Sequence, residues 1–344
     1  MSAVRGRFAP SPTGLLHVGS ARTALVAWLS VRSQKGTFVW RLEDLDGPRV
    51  VPGVAAEQMR DLAWLGLDWD EGPALATAGG IAFEAKGEVG PYRQSDRFGR
   101  YEAALDRLAA HGHLFPCDRS RKDLLELASA PHANEYSGGA GMPAYPKALR
   151  PAELALDWYV RYRSDPPTPR DVGSALRFRV DDAPVSFHDR VQGPLTQDVA
   201  AETGDFVLKR RDGVYAYQLA VVVDDIAMGV TEVVRGADLL DSTGRQIQLI
   251  RALGGEEPAY AHVPIVVNAD GEKLSKRDDA LTLAHLRDAG VEPQRLVGVL
   301  AHSLGLAETG APVTPRALVD GFAWDRVRRD NWRLPEEFVA QLAE

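Results

Sequence analysis

Hydrophobic and polar positions along the chain repeat first with a strand's period and then with a helix's. Residues 4–9 read as a short buried strand that breaks at Pro10 and Pro12. Gly14 and Gly19 bracket a turn, and residues 20–31 carry Leu25, Trp28 and Leu29 on one helical face. Residues 37–44 (TFVWRLED) alternate as a strand does, with Phe38, Trp40 and Leu42 on one side and Val39, Arg41 and Glu43 on the other. Residues 55–67 return to helical spacing through Met59, Leu62 and Leu65. The order strand, Gly-rich turn, helix, strand, helix predicts a parallel sheet with crossover helices.

Further along, a Gly/Ala-rich stretch near 72–90 reads as a loop. Residues 96–111 predict an amphipathic helix through Phe98, Tyr101, Leu105 and Leu108, stopped by Gly112. Pro and Gly crowd residues 130–150, marking a loop. Short β signals appear at 176–180 and 185–188. Alternation resumes at 214–217, followed by the apolar run 219–223 and a β signal at 231–234. A helix over 243–253 and a strand over 263–268 restore the α/β rhythm, and helical spacing dominates from about 280. Trp64 and Trp69 flank a helix end and belong with the core rather than with a base-stacking surface. There is no internal repeat.

Composition narrows the class. The 344 residues leave room for two domains, or for one large α/β domain with an insertion. With 45% hydrophobic and 26% charged residues, a mostly disordered chain is excluded. No apolar run is long enough to span a bilayer, and no apolar stretch follows the first arginines as a signal peptide requires. The lone Cys117 rules out internal disulfides and a four-cysteine zinc site, so a cytoplasmic protein is expected. The net charge of −8 argues against passive coating of nucleic acid. The charge is unevenly spread, however. Arg5, Arg7, Arg22, Arg32 and Lys35 all precede Glu43, the first acidic residue, which suggests a negatively charged visitor at that end.

Two constellations carry chemistry. Arg7-Phe8-Ala9-Pro10-Ser11-Pro12-Thr13-Gly14, then His17-Val18-Gly19-Ser20, lie where the first strand hands over to the first helix. In open α/β sheets ligands bind at the carboxyl ends of the strands, and helix N-termini attract phosphate. The second is Lys273-Leu274-Ser275-Lys276-Arg277, a loop with three cations in five residues that suits a triphosphate. Either alone also reads as a turn or a solvated basic loop.

Together they resemble the nucleotide-binding signatures of class I aminoacyl-tRNA synthetases. Arg41 to Asp46 (RLEDLD), Tyr217 to Asp225 (YQLAVVVDD) and Val233 to Leu240 (VVRGADLL) resemble the glutamyl branch. That implies an α/β fold: a Rossmann-like doubly wound parallel sheet with an inserted α+β domain and a short C-terminal helical region. The expected division is residues 1–110 and 190–260 for the two catalytic halves, 111–189 for an inserted acceptor-type domain, and 261–344 for the KLSKR loop and a helical stem. The 67 residues after Arg277 are too few for the anticodon-binding domains of a full glutamyl-tRNA synthetase. The chain therefore looks like the truncated glutamyl-Q tRNA(Asp) synthetases, and residues 238–246 (DLLDSTGRQ) follow that subfamily, with Gly244 where proline is usual.

The resemblance implies activation of L-glutamate by ATP without tRNA, then transfer to the queuosine base at the wobble position of tRNA(Asp). The anticodon loop itself would enter the site of a monomeric enzyme. By resemblance Arg7, Ser11, Glu43, Tyr217 and Arg235 hold glutamate, and Pro10, His17, Gly19, Ser20, Lys273, Ser275 and Lys276 hold ATP. Catalysis would fall to His17, Gly19, Lys273 and Lys276, with Mg²⁺ arriving alongside ATP. The competing reading of Glu43 is an ion pair with Arg41, and that of Arg235 a surface salt bridge with Asp238. Neither Asp44 nor Asp46 is singled out as the base of the transfer step. Lys209, Arg210 and Arg211 form a second basic cluster, a candidate for RNA contact. Two alternative functions remain, a shortened glutamyl-tRNA synthetase charging a 3′ end and a non-catalytic glutamate- or adenylate-binding paralogue.

Many members of the family hold zinc through a C-x-C pair and later Tyr and Cys ligands. Here Arg119 replaces the second cysteine after Cys117, and Leu149 stands where the later cysteine would be, after Tyr145. One soft ligand does not hold that site, so zinc is expected to be absent. The remaining route to a metal is an irregular set of His111, His113, Cys117 and His132.

Overall fold

In the computed structural model, which describes residues 3–75, 81–119, 122–124, 144–151, 156–164, 174–274, 281–335 and 337–343, the chain opens as a strand–helix–strand unit. β1 (Arg5–Phe8) and β2 (Thr37–Trp40) pair in parallel, joined by α1 (Val18–Ser33). Next come α2 (Val54–Trp64), the hairpin β3 (Gly72–Leu75) and β4 (Ile81–Lys86), α3 (Phe98–Ala110) and β5 (Leu114–Cys117). α4 (Leu156–Ser164), β6 (Ala175–Phe178), β7 (Val185–Asp189), β8 (Gly193–Gln197), α5 (Val199–Glu202) and β9 (Phe206–Lys209) follow. The chain then returns through α6 (Tyr217–Ala227), β10 (Glu232–Gly236), α7 (Thr243–Ala252), β11 (Ala259–Val263) and β12 (Val266–Val267). The C-terminal part holds α8 (Leu283–Asp288), α9 (Pro293–Leu304), β13 (Trp332–Arg333) and α10 (Phe338–Ala343).

The main sheet has the order β2-β1-β10-β11-β7-β8, parallel except for the edge strand β8. β5, β6 and β9 make a separate antiparallel sheet. Two strands cross the division expected at residues 189 and 190: β7 joins the main sheet, and β9 joins the small one. The alternation in β2 works as the sequence suggests. Phe38 and Trp40 enter one buried cluster with Leu25, Trp28 and Leu29 of α1, whereas Val39 enters a second with α3, α6 and α7. Trp64 and Trp69 pack against the first cluster.

Three elements depart from the sequence reading. The stretch read as a loop near 72–90 contains the β3–β4 hairpin. Gly72 lets it dock, with φ at 143° and a backbone so close to Trp40 that an added Cβ would lie 2.7 Å from Trp40 Cβ. The alternating segment 214–217 and the apolar run 219–223 do not form a strand. Tyr217–Ala227 is a helix with residues 219–225 all buried, and a helix hidden on most sides loses its one-sided period. The strand expected over 263–268 is split: β11 (Ala259–Val263) ends where Pro264 has no N–H to give, and Val266–Val267 form the separate short strand β12, paired with β13.

Candidate active site

β1 leads to β2 on one side and β10 to β11 on the other, so the carboxyl ends of β1 and β10 form the point where the winding of the sheet reverses. A cavity of about 460 Å³ opens there. Arg7, Pro10, Ser11, His17, Gly19, Ser20, Glu43, Tyr217, Arg235 and Lys273 all line it. Ser275 and Lys276 lie outside the described residues.

The side of the cavity near β2 and α6 is built from buried charges. Arg41, fully buried, donates to Asp225 Oδ1 (2.5 Å) and to Glu43 Oε1 (3.0 Å). Arg7 donates through Nε to both Asp225 oxygens (3.4 Å each) and through Nη1 to the Val234 carbonyl, which ties β1 to β10. Burial pushes the Asp225 carboxyl up, but the Arg41 and Arg7 guanidiniums outweigh it and hold it below the usual range. Glu43 behaves oppositely. Burial pushes it above the usual range, and Arg41 and Arg7 only partly offset this. The ion pair considered for Glu43 exists, yet Arg41 is shared with Asp225, and Glu43 remains a buried acid with room for a further cation.

Arg235 is different. It is 5% exposed, and its partners are all neutral acceptors: His262 Nε2 (2.9 Å), Gln246 Oε1 (2.6 Å) and Thr243 Oγ1 (2.9 Å). No carboxylate among the described residues bonds it, so its charge is uncompensated at contact distance. The surface pair with Asp238 does not form; Asp238 takes Lys273 Nζ instead, at 2.5 Å.

The other side of the cavity is a set of loops. Gln58 of α2 donates to the carbonyls of Ser11 and Gly14, and the Pro10 carbonyl accepts from the Glu43 N–H. His17 caps α1: its Nδ1 accepts from the N–H groups of Gly19 (3.0 Å) and Ser20 (3.3 Å). The helix N-terminus expected to face phosphate is thus occupied by the side chain of His17. Acceptance at Nδ1 puts the proton of the neutral ring on Nε2, making that atom the donor. Gly19 is required by the ring, since a Cβ there would sit 2.9 Å from His17 Cε1. Lys273 follows the turn at Gly271 and is half exposed. Both flanks of segment 275–280 are anchored at this side: Leu274 bonds Val266, and Leu283 bonds the Leu16 carbonyl.

Other expectations resolve differently. Of the basic residues before Glu43, only Arg7 lines the cavity. Arg5 pairs with Glu71, Arg32 with Asp68 and Asp70, and Arg22 is buried on Ser303 and the Pro264 carbonyl. Lys209 is tied to Glu102 and Arg210 to Asp212. Gly244 donates its N–H to the side chain of Gln197, a bond that proline would lack. The partners Asp225, Gln58, Gln246, His262 and Asp189 were not among the expected site residues; Asp225 and Gln246 fall in the quoted segments YQLAVVVDD and DLLDSTGRQ, the signal that could have found them.

The place of the family's zinc does not fit a metal. Cys117 Sγ lies 3.4 Å from the Tyr145 hydroxyl, inside an apolar cluster with Phe115 and Leu124, against which Leu149 packs. The Arg177 guanidinium sits over the Tyr145 ring at 4.3 Å, where it opposes a cation. Of the alternative ligands, His111 Nδ1 bonds the Arg107 carbonyl, His113 stacks on Phe178, and His132 lies outside the described residues. Among the described residues no helix is long and apolar enough to cross a membrane.

Comparison with known proteins gives the family. Residues 3–311 match the class I tRNA synthetase (E and Q) catalytic domain. A glutamyl-Q tRNA(Asp) synthetase of Symbiobacterium thermophilum is 46% identical over 338 residues, 98% of each chain. One from Geobacter sulfurreducens is 48% identical over 304 residues, covering 88% of this chain and 84% of that one. Among solved structures, the glutamate–tRNA synthetase of Elizabethkingia anophelis superposes with a TM-score of 0.77 at 26% identity, covering 98% of this chain and 69% of the longer protein. A glutamate tRNA ligase of Elizabethkingia meningosepticum, solved with its amino acid, has the same TM-score. With its reversal-point cavity, its two signature loops and this likeness along nearly its whole length, the chain belongs to the glutamyl-Q tRNA(Asp) synthetases, ligases of the class I tRNA synthetase family.

Proposed function

We propose that this chain joins L-glutamate to ATP as glutamyl-adenylate, without needing tRNA, and then transfers the glutamyl group to queuosine in the anticodon loop of tRNA(Asp). The observation that carries the reading is Arg235, a buried guanidinium whose partners among the described residues are all neutral, facing a cavity that also holds a buried acid, Glu43. A buried charge lacking a counter-charge is costly, and a ligand that supplies one recovers the cost. Glutamate supplies both, a carboxylate for Arg235 and an α-ammonium for Glu43. Arg7 keeps the second carboxylate in reach, and Tyr217 and Ser11 line the space between.

In the first step an oxygen of the α-carboxylate attacks the α-phosphorus of ATP, and pyrophosphate leaves with its electron pair. Mg²⁺ would arrive with the ATP substrate and offset part of the phosphate charge. His17 donates to a phosphoryl oxygen through Nε2. Lys273 and Lys276 meet the negative charge that grows on the departing β,γ-phosphates, and Ser275 is proposed as an ATP contact. In the second step a hydroxyl of the queuosine ring attacks the mixed anhydride and AMP departs.

Glutamate-dependent ATP–pyrophosphate exchange without tRNA tests the first step. Labelled glutamate offered to queuosine-containing and queuosine-lacking tRNA(Asp) tests the second; charging indifferent to queuosine would overturn the reading. The chain is also proposed to act as a cytoplasmic monomer without zinc. Stoichiometric zinc in the purified protein would overturn that last point.

A further inference from the structure

Behind Arg235 lies a second layer of buried polar groups that the reaction itself does not touch. His262 of β11 is fully buried, and its Nε2 accepts from Arg235 Nε. An arginine Nε always donates, so His262 Nε2 carries no proton and the proton sits on Nδ1. Nδ1 in turn lies 2.6 Å from Asp189 Oδ2. Asp189, also fully buried, closes the β7–β8 turn: its Oδ1 accepts from the backbone N–H groups of Val191, Gln192 and His262. The order is therefore a carboxylate on β7, a neutral imidazole on β11 and a guanidinium on β10, running across the sheet toward the cavity.

This order has an electrostatic consequence. A carboxylate bonded directly to Arg235 would fix the side chain but neutralise it. A neutral ring fixes it equally well and keeps the anion one ring away. Three of the five guanidinium N–H groups are used by His262, Gln246 and Thr243, leaving one N–H on each terminal nitrogen to donate to a carboxylate. Burial pushes the His262 imidazole below its usual range, which favours the neutral ring this requires.

We propose that His262, locked by Asp189, is a positioning residue that orients Arg235 without cancelling its charge, and so sets the preference for a carboxylate over an amide in the amino-acid substrate. The proposal rests on the assignment of Arg235 to glutamate. The outer carboxylate acts by choosing the tautomer. Asn in place of Asp189 would donate to Nδ1, move the ring proton to Nε2, and set donor against donor at Arg235.

The test is ATP–pyrophosphate exchange, with KM measured separately for glutamate and ATP, and glutamine as the competing amino acid. His262→Leu and Asp189→Asn should each raise the glutamate KM by about 30-fold. In both, the ATP KM and the saturated rate should stay within about threefold. His262→Gln, which keeps an acceptor and the volume, should recover most of the loss. His262→Glu places an anion on Arg235 and should narrow the glutamate-over-glutamine ratio by about tenfold or more. An unchanged ATP KM in the same assay certifies that each variant is folded at the site. If Arg235→Gln leaves the glutamate KM unchanged, the substrate assignment falls. If Arg235→Gln raises it while His262→Leu and Asp189→Asn do not, the assignment stands and the positioning role is overturned. Equal loss in His262→Gln and His262→Leu, with no change of amino-acid preference in His262→Glu, would also overturn it.

Discussion

The two sides of the cavity are built on opposite principles. On the side proposed for glutamate the charges are buried and tied across the fold, as Arg7 and Arg41 are by Asp225, with Glu43 held by the neighbouring Arg41. On the side proposed for phosphate Lys273 stands half exposed on a turn, and its ion pair with a partly exposed Asp238 is of the kind that contributes little. The difference fits the ligands proposed for each side. A small zwitterion that must be told from glutamine requires fixed, desolvated charges, because selectivity comes from groups left unpaired by the wrong substrate. A triphosphate brings its own strong charge and must leave as pyrophosphate after each turnover, so a lysine on an exposed loop, exchanging one anion for another, suits it better. The comparison predicts that changes on the glutamate side act on KM for glutamate and changes on the phosphate side on the rate.

Lys276→Ala is the largest break. The charge it meets grows in the transition state, so the saturated exchange rate should fall by about 100-fold or more while the glutamate KM stays within about twofold. Equal effects on both, measured in one exchange assay, would erase the division of labour. Next comes Glu43→Gln, which keeps an oxygen for Arg41 but removes the charge that faces an ammonium. The glutamate KM should rise about 30-fold with the ATP KM unmoved. Asp238→Asn should do least to activity, lowering the ATP KM by at most about threefold as Lys273 is released. A drop in rate as large as that of Lys276→Ala would show that Asp238 is part of the machinery rather than a resting place for the lysine.

The sequence carried one side of this contrast better than the other. The phosphate loops are contiguous, so RFAPSPTG, HVGS and KLSKR are legible as strings, and β1, α1 and β2 follow from period alone. The charge network of the glutamate side joins residues about two hundred positions apart, a pairing that spacing does not encode. Asp225 therefore stands in sequence as the end of an apolar run, and no motif surrounds His262. Local charge misled in the other direction. Arg5, Arg22 and Arg32 are neighbours of Arg7 in sequence, yet the alternating strand and the turning helix send them to different partners. His17 shows a third case: it lines the cavity, as expected, but also caps Gly19 and Ser20, which depends on a ring orientation no motif records.

The smallest effect, one of stability rather than activity, separates the two sides by sign. Asp225 is held below the usual carboxylate range by Arg41 and Arg7 against its burial. Asp61 of α2, beneath the loop side, is pushed up to about 7, because burial outweighs the Arg287 guanidinium of α8 bonded to it. An acid with a lowered folded pKa stabilises the fold above its unfolded value near 4 and loses that contribution as pH falls. An acid with a raised one does the reverse: the folded state binds the extra proton between about pH 4 and 7, so its contribution is present at pH 4 and declines as pH climbs to 7. Denaturant unfolding of the wild type, Asp61→Asn and Asp225→Asn at pH 5 and pH 8 reads both. Relative to wild type, Asp61→Asn should gain stability between pH 5 and pH 8, and the Asn side chain still accepts from Arg287. Asp225→Asn should be destabilised at both values and show no such gain. If the two variants moved in parallel with pH, the sides would share one electrostatic design, and the contrast between a pre-paired pocket and a loop that trades partners would fail at its base.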